Sequence, residues 1–122
     1  MKIFGIYHAN GGLFGEISYL FCKLTFRHSC SFCSVTHRGL KIKSDWVKYV
    51  NRLDVSFKLL HLNEQTAEMA AYTKDKTPCI IASVNGVYLT LMDSKTIEHC
   101  DGNVEKFSKL LDRSISKFVA DM

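Results

Sequence analysis

The segment "CIIASVNGVYLTLM", residues 79–92, restricts the fold of this chain more than any other stretch. Two runs rich in β-branched and large apolar residues flank the dipeptide Asn85-Gly86. A type I′ turn needs a positive φ at both central residues, and Asn-Gly adopts that conformation readily. The segment therefore predicts an antiparallel hairpin with strands over residues 79–84 and 87–92.

Two further strands are expected where β-forming residues alternate or run together, over residues 2–8 and 55–62. Helices are expected where apolar residues recur with a period of 3.6, or where a capping residue precedes a short run. The predicted helices cover residues 13–25, 30–38 after Ser29, 46–53 after Ser44-Asp45, 64–72 after Asn63, and a last helix from Val104 to Phe118 with Asp101 near its cap.

The order of these elements is typical of an α/β domain. A strand-helix-strand unit requires a crossover between parallel strands, whereas the hairpin adds antiparallel strands. We therefore expect a mixed four-stranded sheet with helices on both faces. The 122 residues fit a single domain, 1–122, in which residues 28–53 form a helical insertion between the first helix and the second strand.

Composition narrows the class of protein and its partners. Hydrophobic residues make up 47% of the chain and charged residues 23%, as in compact globular domains. The net charge of +4 is scattered and no stacking-aromatic motif accompanies it, so a nucleic-acid partner is not expected. No segment has the ~20 apolar residues of a membrane span. The first residues lack the apolar core of a signal peptide, so we expect a cytoplasmic protein without a membrane partner.

The five cysteines are an odd number without the spacing of a disulfide framework, so permanent bridges are not expected. Cys22 and Cys79 are expected in the core, and Cys100, beside His99, is expected to be exposed. The other two cysteines belong to the motif "SCSFCSVTH", which is the main candidate for chemistry.

If residues 30–38 form one helix, Cys30, Cys33 and His37 lie on one face of it. A helix N-terminus lowers a thiol pKa, which favours a redox-sensitive dithiol. Cys30 would then be the attacking thiolate, Cys33 the resolving thiol, and His37 a group that tunes the pair or accepts a proton. The same three residues and one more histidine could hold zinc, the one cofactor that the motif suggests. Two small core residues are the third interpretation.

Histidines also end two predicted strands. The carboxyl ends of parallel strands lie on one edge of a sheet, where ligands of open α/β sheets bind. A glycine turn, an acidic residue and the loop before the hairpin are expected at the same edge. This rim is a candidate site for a small molecule or a protein partner. Its candidate ligand-binding residues are His8, Gly11, Gly12, His61, Glu64, Thr77 and Pro78.

The segment "TPCIIASVNGVYLTLMD" with the helix after it resembles the closing strand-strand-helix unit of thioredoxin-like proteins. The resemblance implies a thioredoxin-like fold and a cis Thr77-Pro78 bond. In working oxidoreductases of that superfamily, the Cys-x-x-Cys motif opens the first helix directly after strand one. Here that place holds "HANGG", so the dithiol reaches the proline loop only if the first helix is tilted or the chain doubles back.

The chain also resembles an uncharacterised bacterial family that pairs "HA(N/D)GG..GE" with "C..C..TH". Here these motifs are "HANGG" from His8, Gly15-Glu16, and Cys30 to His37. That family supplies no activity, so the resemblance implies a site at these positions and leaves its chemistry open. The sequence thus favours thiol-disulfide chemistry, with a structural zinc site and a ligand- or protein-binding module as the alternatives.

Overall fold

The computed structural model describes residues 1–8, 31–38 and 41–120, and for Ser31, Cys33, Ser34, Arg38 and Lys41 it describes the backbone. The predicted helix over residues 13–25 lies outside this part of the chain, as do Gly11, Gly12, Cys22 and Cys30. Among the helices of the described ranges, none combines the length and apolarity needed to cross a bilayer.

The described strands include both strands of the hairpin and the two strands expected from β-forming runs. A short two-stranded ribbon, which was not predicted, lies in the insertion. The strands are β1 (Lys2–Ile6), β2 (His37–Arg38), β3 (Lys41–Ile42), β4 (Ser56–Leu60), β5 (Cys79–Val84) and β6 (Val87–Met92).

The helices of the described ranges follow the predicted order, with one addition before the last helix. They are α1 (Ser31–Thr36), α2 (Ser44–Arg52), α3 (Ala67–Thr73), α4 (Ser94–His99) and α5 (Val104–Ala120). A 3-10 turn (Leu62–Glu64) links β4 to α3.

The hairpin forms as predicted. Asn85 has φ 51° and Gly86 has φ 81°, so both turn residues lie in the left-handed region that a type I′ turn requires. Val84 pairs with Val87 directly beside the turn, and the ladder continues to Ile80 and Met92. The two-residue loop sets this register, because any other pairing would lengthen or distort the turn.

The main sheet has the strand order β4-β1-β5-β6. β1 is parallel to β4 and antiparallel to β5, which confirms the expected mixed four-stranded sheet. Ile6 pairs with Leu60 on one side and with Cys79 on the other. The carboxyl ends of β1 and β4 and the amino end of β5 therefore meet at one edge of the sheet.

Helices cover both faces of the sheet, as the element order predicts. One face carries a large cluster to which β1, β5, β6, α1, α2, α4 and α5 contribute. Phe32 and Trp46 lie within it, with ring centroids 5.8 Å apart. The opposite face carries a smaller cluster that includes Met69 of α3 and Cys79 of β5. Alternating side chains of β1 supply both clusters, since Ile3 belongs to the first and Ile6 to the second.

Gly5 allows α1 to pack closely on the sheet. A Cβ atom at this position would lie 2.6 Å from two ring carbons of Phe32 and 3.2 Å from a ring carbon of Phe57. Real Cβ atoms are not found at the shorter distance, so the aromatic ring occupies the space that a larger residue would need. Packing of α1 against β1 thus depends on the missing side chain.

The predicted start of the helix α3 is wrong. Asn63 was expected to cap a helix over residues 64–72, whereas α3 begins at Ala67. The side chain of Thr66 accepts a hydrogen bond from the Met69 amide and is the actual cap. Residues 62–64 form the 3-10 turn instead, because His61 and Glu64 bond to each other across that turn.

The predicted cap of α2 is wrong, since Ser44 and Asp45 are the first two residues of the helix and Lys43 is its N-cap. Asp93, whose carboxylate accepts a hydrogen bond from the Thr96 amide, starts the unpredicted helix α4. The last helix begins at Val104 as predicted, and Asp101 lies near its cap, two residues before Asn103, whose side chain accepts a hydrogen bond from the Lys106 amide. Asp101 has φ 51° and lies in the turn between the two helices.

The first helix of the insertion is shorter than predicted. The expected helix covered residues 30–38, whereas α1 ends at Thr36 and His37 begins the strand β2. His37 pairs with Ile42 of β3, and the Lys43 amide donates to the Thr36 carbonyl. The ribbon therefore ends the helix, and the prediction that His37 shares a helix face with both cysteines is wrong.

Candidate functional site

The candidate site lies where β1 ends. The Tyr7 amide donates to the Leu60 carbonyl at 2.9 Å, so the chain stays beside β4 for one residue beyond the strand. His8 follows as the second residue beyond β1, whereas His61 is the first residue beyond β4, because Ile6 pairs with Leu60. The Thr77-Pro78 loop lies on the other side, since β5 begins beside Ile6. The sheet thus brings together the described members of the predicted rim.

Tyr7 is the buried centre of this region, with 3% of its surface exposed. Its ring centroid lies 4.9 Å from that of Phe32 and 5.0 Å from that of His61. The His37 ring is 6.2 Å away. Tyr7 therefore joins the helix α1, the ribbon and the end of β4 in one aromatic cluster.

The Thr36 hydroxyl connects three groups below the surface. Its Oγ1 lies 2.8 Å from the Tyr7 hydroxyl, 2.7 Å from Nδ1 of His37 and 3.4 Å from the Phe32 carbonyl. The single hydroxyl hydrogen of Thr36 can be donated to only one of these groups at a time. The protonation of His37 Nδ1 is therefore coupled to the direction of the bonds that Thr36 makes.

His8 contacts the loop before β5. Its Nδ1 lies 2.7 Å from Oγ1 of Thr77, and His8 is exposed. Thr77 directly precedes Pro78, and the bond between them is cis, as the resemblance implies. This contact confirms the expectation that His8 and the Thr77-Pro78 loop share an edge of the sheet.

His61 and Glu64 are hydrogen-bonded to each other across the 3-10 turn. Oε1 of Glu64 accepts from the His61 amide at 2.7 Å and lies 2.5 Å from Nδ1 of the same residue. These bonds, led by the one from the backbone amide, lower the pKa of the Glu64 carboxyl, so it is ionised near neutral pH. An ionised carboxylate accepts the Nδ1 proton, which leaves Nε2 as the basic nitrogen of a neutral His61 ring.

We call these residues the edge cluster. The name covers Tyr7, His8, Thr36, His37, His61, Glu64 and Thr77. Its imidazole, hydroxyl and carboxylate groups are hydrogen-bond donors and acceptors, so the cluster can bind a hydrogen-bonding group. In the described residues, no three His, Cys, Asp or Glu side chains are placed to share a metal ion.

The cysteine motif is partly described. Cys33 belongs to α1, whose last residue, Thr36, contacts Tyr7. Cys30 lies outside the described residues, so the roles assigned to the pair stay predictions. The same holds for Gly11 and Gly12 as ligand-binding residues.

The two other described cysteines are buried. Cys79 is 1% exposed, which confirms its expected place in the core, and burial raises the pKa of its thiol to about 11. The expectation that Cys100 is exposed is wrong, since its exposed fraction is 0% and burial also raises the pKa of its thiol. The unpredicted helix α4 accounts for this, because its last turn directs Cys100 into the core beside Ile97.

Sequence reasoning missed Tyr7 as a member of the site and pointed to Thr36 only through the resemblance. Thr36 stands in the quoted "C..C..TH" motif, but a threonine in a short helix has no distinctive chemistry by itself. Tyr7 occupies an alternating strand position that predicts a core residue. Only the return of α1 to the end of β1 brings the two hydroxyls together.

Comparison of the chain with protein-family models, with curated proteins and with solved structures found no match. A function for this chain is therefore proposed from the geometry of its own residues.

Proposed function

We propose that this chain is a thioredoxin-like domain in which Cys30 and Cys33 exchange electrons with a disulfide substrate. The sheet order supports this assignment. β4 lies on one side of β1 and β5 lies on the other, and β6, the hairpin partner of β5, is outermost. A parallel pair followed by an antiparallel hairpin and a closing helix is the arrangement that the resemblance implies.

The hydrogen bond between Tyr7 and Thr36 carries the proposal. A dithiol that comes after residues 13–25 can act at the Thr77-Pro78 loop only if the chain returns to the carboxyl end of β1. Thr36 ends the helix that contains Cys33, and its Oγ1 is 2.8 Å from the Tyr7 hydroxyl at that strand end. Three residues of helix span about 4.5 Å along the axis, so the backbone of Cys33 is close to the edge cluster.

In the proposed reaction, the Cys30 thiolate attacks one sulfur of the substrate disulfide and forms a mixed disulfide. The electron pair of the broken S–S bond leaves on the second substrate sulfur, which takes up a proton. Cys33 then loses its proton and attacks the Cys30 sulfur, which closes the Cys30-Cys33 disulfide and releases the first substrate sulfur as a thiol. Two electrons pass to the substrate together with two protons, one released by Cys33 and one from solvent, which had received the proton that Cys30 lost when it ionised. His37, beside Thr36, is the proposed proton acceptor.

A second candidate function is binding of a small molecule or a protein at the rim. The observation that favours it is that His8 contacts Thr77 while His61 contacts Glu64 at the same sheet edge. The exposed fractions of the His61 and Glu64 side chains are 39% and 47%, so both can contact a ligand without rearrangement. This candidate requires no chemistry at the cysteines.

The test is a redox titration of the native protein in glutathione buffers, followed by alkylation and mass spectrometry of each cysteine, with zinc measured on the same sample. The proposed function requires a reversible Cys30-Cys33 disulfide. Two matched variants separate the roles. Cys33→Ser should accumulate a mixed disulfide with glutathione at Cys30, whereas Cys30→Ser should not accumulate one at Cys33.

Two other results of this experiment would contradict the redox proposal. One equivalent of zinc, with thiols that become reactive only after a chelator is added, contradicts the redox proposal and indicates the zinc site. Thiols at both positions that stay reduced and unreactive without zinc also contradict it. In that case the edge cluster should be tested for binding, with His8→Ala and His61→Ala as the variants.

A further inference from the structure

The outer edge of β6 is an open sheet edge within the part of the chain that the structure describes. In the four-stranded sheet β6 is a terminal strand, and none of the described strands pairs with its outer side. Val87 is 61% exposed and Leu89 is 39% exposed. The chain contains no Asp, Glu, Lys, Arg or His from Thr77 to Met92. An uncharged edge strand with exposed apolar residues is prone to pair with another strand.

The opposite edge of the sheet differs in this respect. β4, the other terminal strand, has the exposed Lys58 at its centre and the exposed Asp54 two positions before its start. Charged residues on an edge strand discourage pairing with another chain. The contrast indicates that the two edges are not equally available, and that β6 is the one suited to contact a partner strand.

The hairpin register determines which backbone groups of β6 point outward. Val84 and Val87 close a two-residue turn, so they form a hydrogen-bonded pair. Hydrogen-bonded and non-hydrogen-bonded pairs alternate along antiparallel strands. Leu89 therefore bonds inward to Ala82, while the N–H and C=O groups of Tyr88 and Thr90 face away from β5.

We propose that β6 pairs with β6 of a second copy of this chain, antiparallel and about a two-fold axis at Leu89. In this register Tyr88 of each copy exchanges two backbone hydrogen bonds with Thr90 of the other. Leu89 faces its own symmetry mate as a non-hydrogen-bonded pair, for which Cα atoms lie about 4.5 Å apart. Val87 faces Leu91 of the second copy. The two sheets become one continuous sheet of eight strands.

A second copy fits this edge because the strand is complementary to itself. Every cross-strand pair in the proposed register is apolar or neutral, so no like charges face each other despite the net charge of +4. The two exposed apolar residues, Val87 and Leu89, become covered together. Pairing about a two-fold axis uses both edges at once and leaves no open β6 edge, so the assembly stops at a dimer. The pairing ends at Leu91, the residue at which the register of β6 with β5 shifts.

Sedimentation equilibrium over a wide range of protein concentrations tests this interface under reducing conditions. We expect a monomer-dimer equilibrium whose dissociation constant rises at least about tenfold in Leu89→Lys, because two buried like charges would face each other. Val47→Lys is the matched control, since Val47 of α2 has the same exposed fraction of 39%. The control should leave the dissociation constant unchanged.

A second variant decides the question if Leu89→Lys does not fold. Leu89→Cys should form an intermolecular disulfide across the two-fold axis on mild oxidation, and Val47→Cys should not. A protein that is monomeric at every concentration overturns the proposal, even if β6 binds an unrelated extended peptide. A dimer that Leu89→Lys leaves intact, or equal cross-linking of both cysteine variants, overturns it as well. None of these outcomes depends on the chemistry of Cys30 and Cys33.

Discussion

The Tyr7 hydroxyl lies 2.8 Å from Oγ1 of Thr36, a residue 29 positions further along the chain, and both residues are buried. This contact joins the carboxyl end of β1 to the last residue of α1. Because Thr36 also contacts Nδ1 of His37, the same bond helps to orient a half-buried histidine of the edge cluster. It is therefore both a structural contact and the link between the cysteine motif and the sheet edge.

Removal of the Tyr7 hydroxyl should destabilise the protein by about 0.5–1.5 kcal/mol, the net contribution of a typical hydrogen bond. The variant is Tyr7→Phe, and the measurement is the free energy of unfolding in urea. Tyr72→Phe is the matched control, since the Tyr72 hydroxyl bonds to Thr90 in an exposed position where water can replace it. Equal losses in the two variants would contradict the role given to the buried bond.

A methyl group at Gly5 should cost about 1–3 kcal/mol of stability, because the Cβ atom would meet the Phe32 ring at 2.6 Å. Thermal unfolding of Gly5→Ala measures this cost. If the clash is the cause, the smaller Leu side chain should relieve it. The double variant Gly5→Ala/Phe32→Leu should then lose less stability than the two single variants lose in sum.

Gly86→Ala is the control for the Gly5 prediction. No atom of the described residues lies within 4 Å of a Cβ atom at Gly86, and the strain of this variant comes from φ 81° instead. The stability losses of Phe32→Leu and Gly86→Ala should therefore be additive in the double variant. Strict additivity in both double variants would show that the Phe32 ring does not limit the size of residue 5.

The Glu64 carboxyl should titrate below its ordinary pKa of 4.5, because it accepts bonds from the His61 amide and side chain. A carboxyl with a lowered folded pKa contributes stability that is fully present above the unfolded pKa. That contribution is lost as pH falls through the lower folded value. Wild-type protein should therefore lose more stability on acidification than Glu64→Gln. Glu98→Gln, at an exposed site on α4, should follow the wild type, and a matching loss in all three proteins would refute the prediction.

Cys79 and Cys100 should resist alkylation in the folded protein. Burial raises the pKa of Cys79 to about 11 and also raises that of Cys100, so neither thiol is appreciably ionised near neutral pH. Mass spectrometry after a short iodoacetamide pulse, with and without denaturant, measures the labelling of each cysteine. Rapid labelling of either residue without denaturant would mean that its part of the core opens readily.

Local patterns in the sequence were sufficient for the hairpin, the mixed sheet and the core position of Cys79. Asn85-Gly86 encodes its turn through backbone conformation alone, so no distant contact is needed to predict it. Element order and the alternation of apolar residues then limit how the strands can join. The convergence of His8, Thr77, His61 and Glu64 followed from the same rules, since it depends only on which strand ends share an edge.

Helix ends and the contacts of the insertion were not encoded locally. Asn63 and Thr66 are both good capping residues, but Asn63 lies within the 3-10 turn and Thr66 caps α3, which carries the buried Met69. His37 directly follows the helical residue Thr36, but it lies in a strand because it pairs with Ile42. Residues 29 positions apart, such as Tyr7 and Thr36, meet because Gly5 leaves room for Phe32 and so lets α1 settle on the sheet. Such contacts depend on the shapes of surfaces that exist only after the chain has folded.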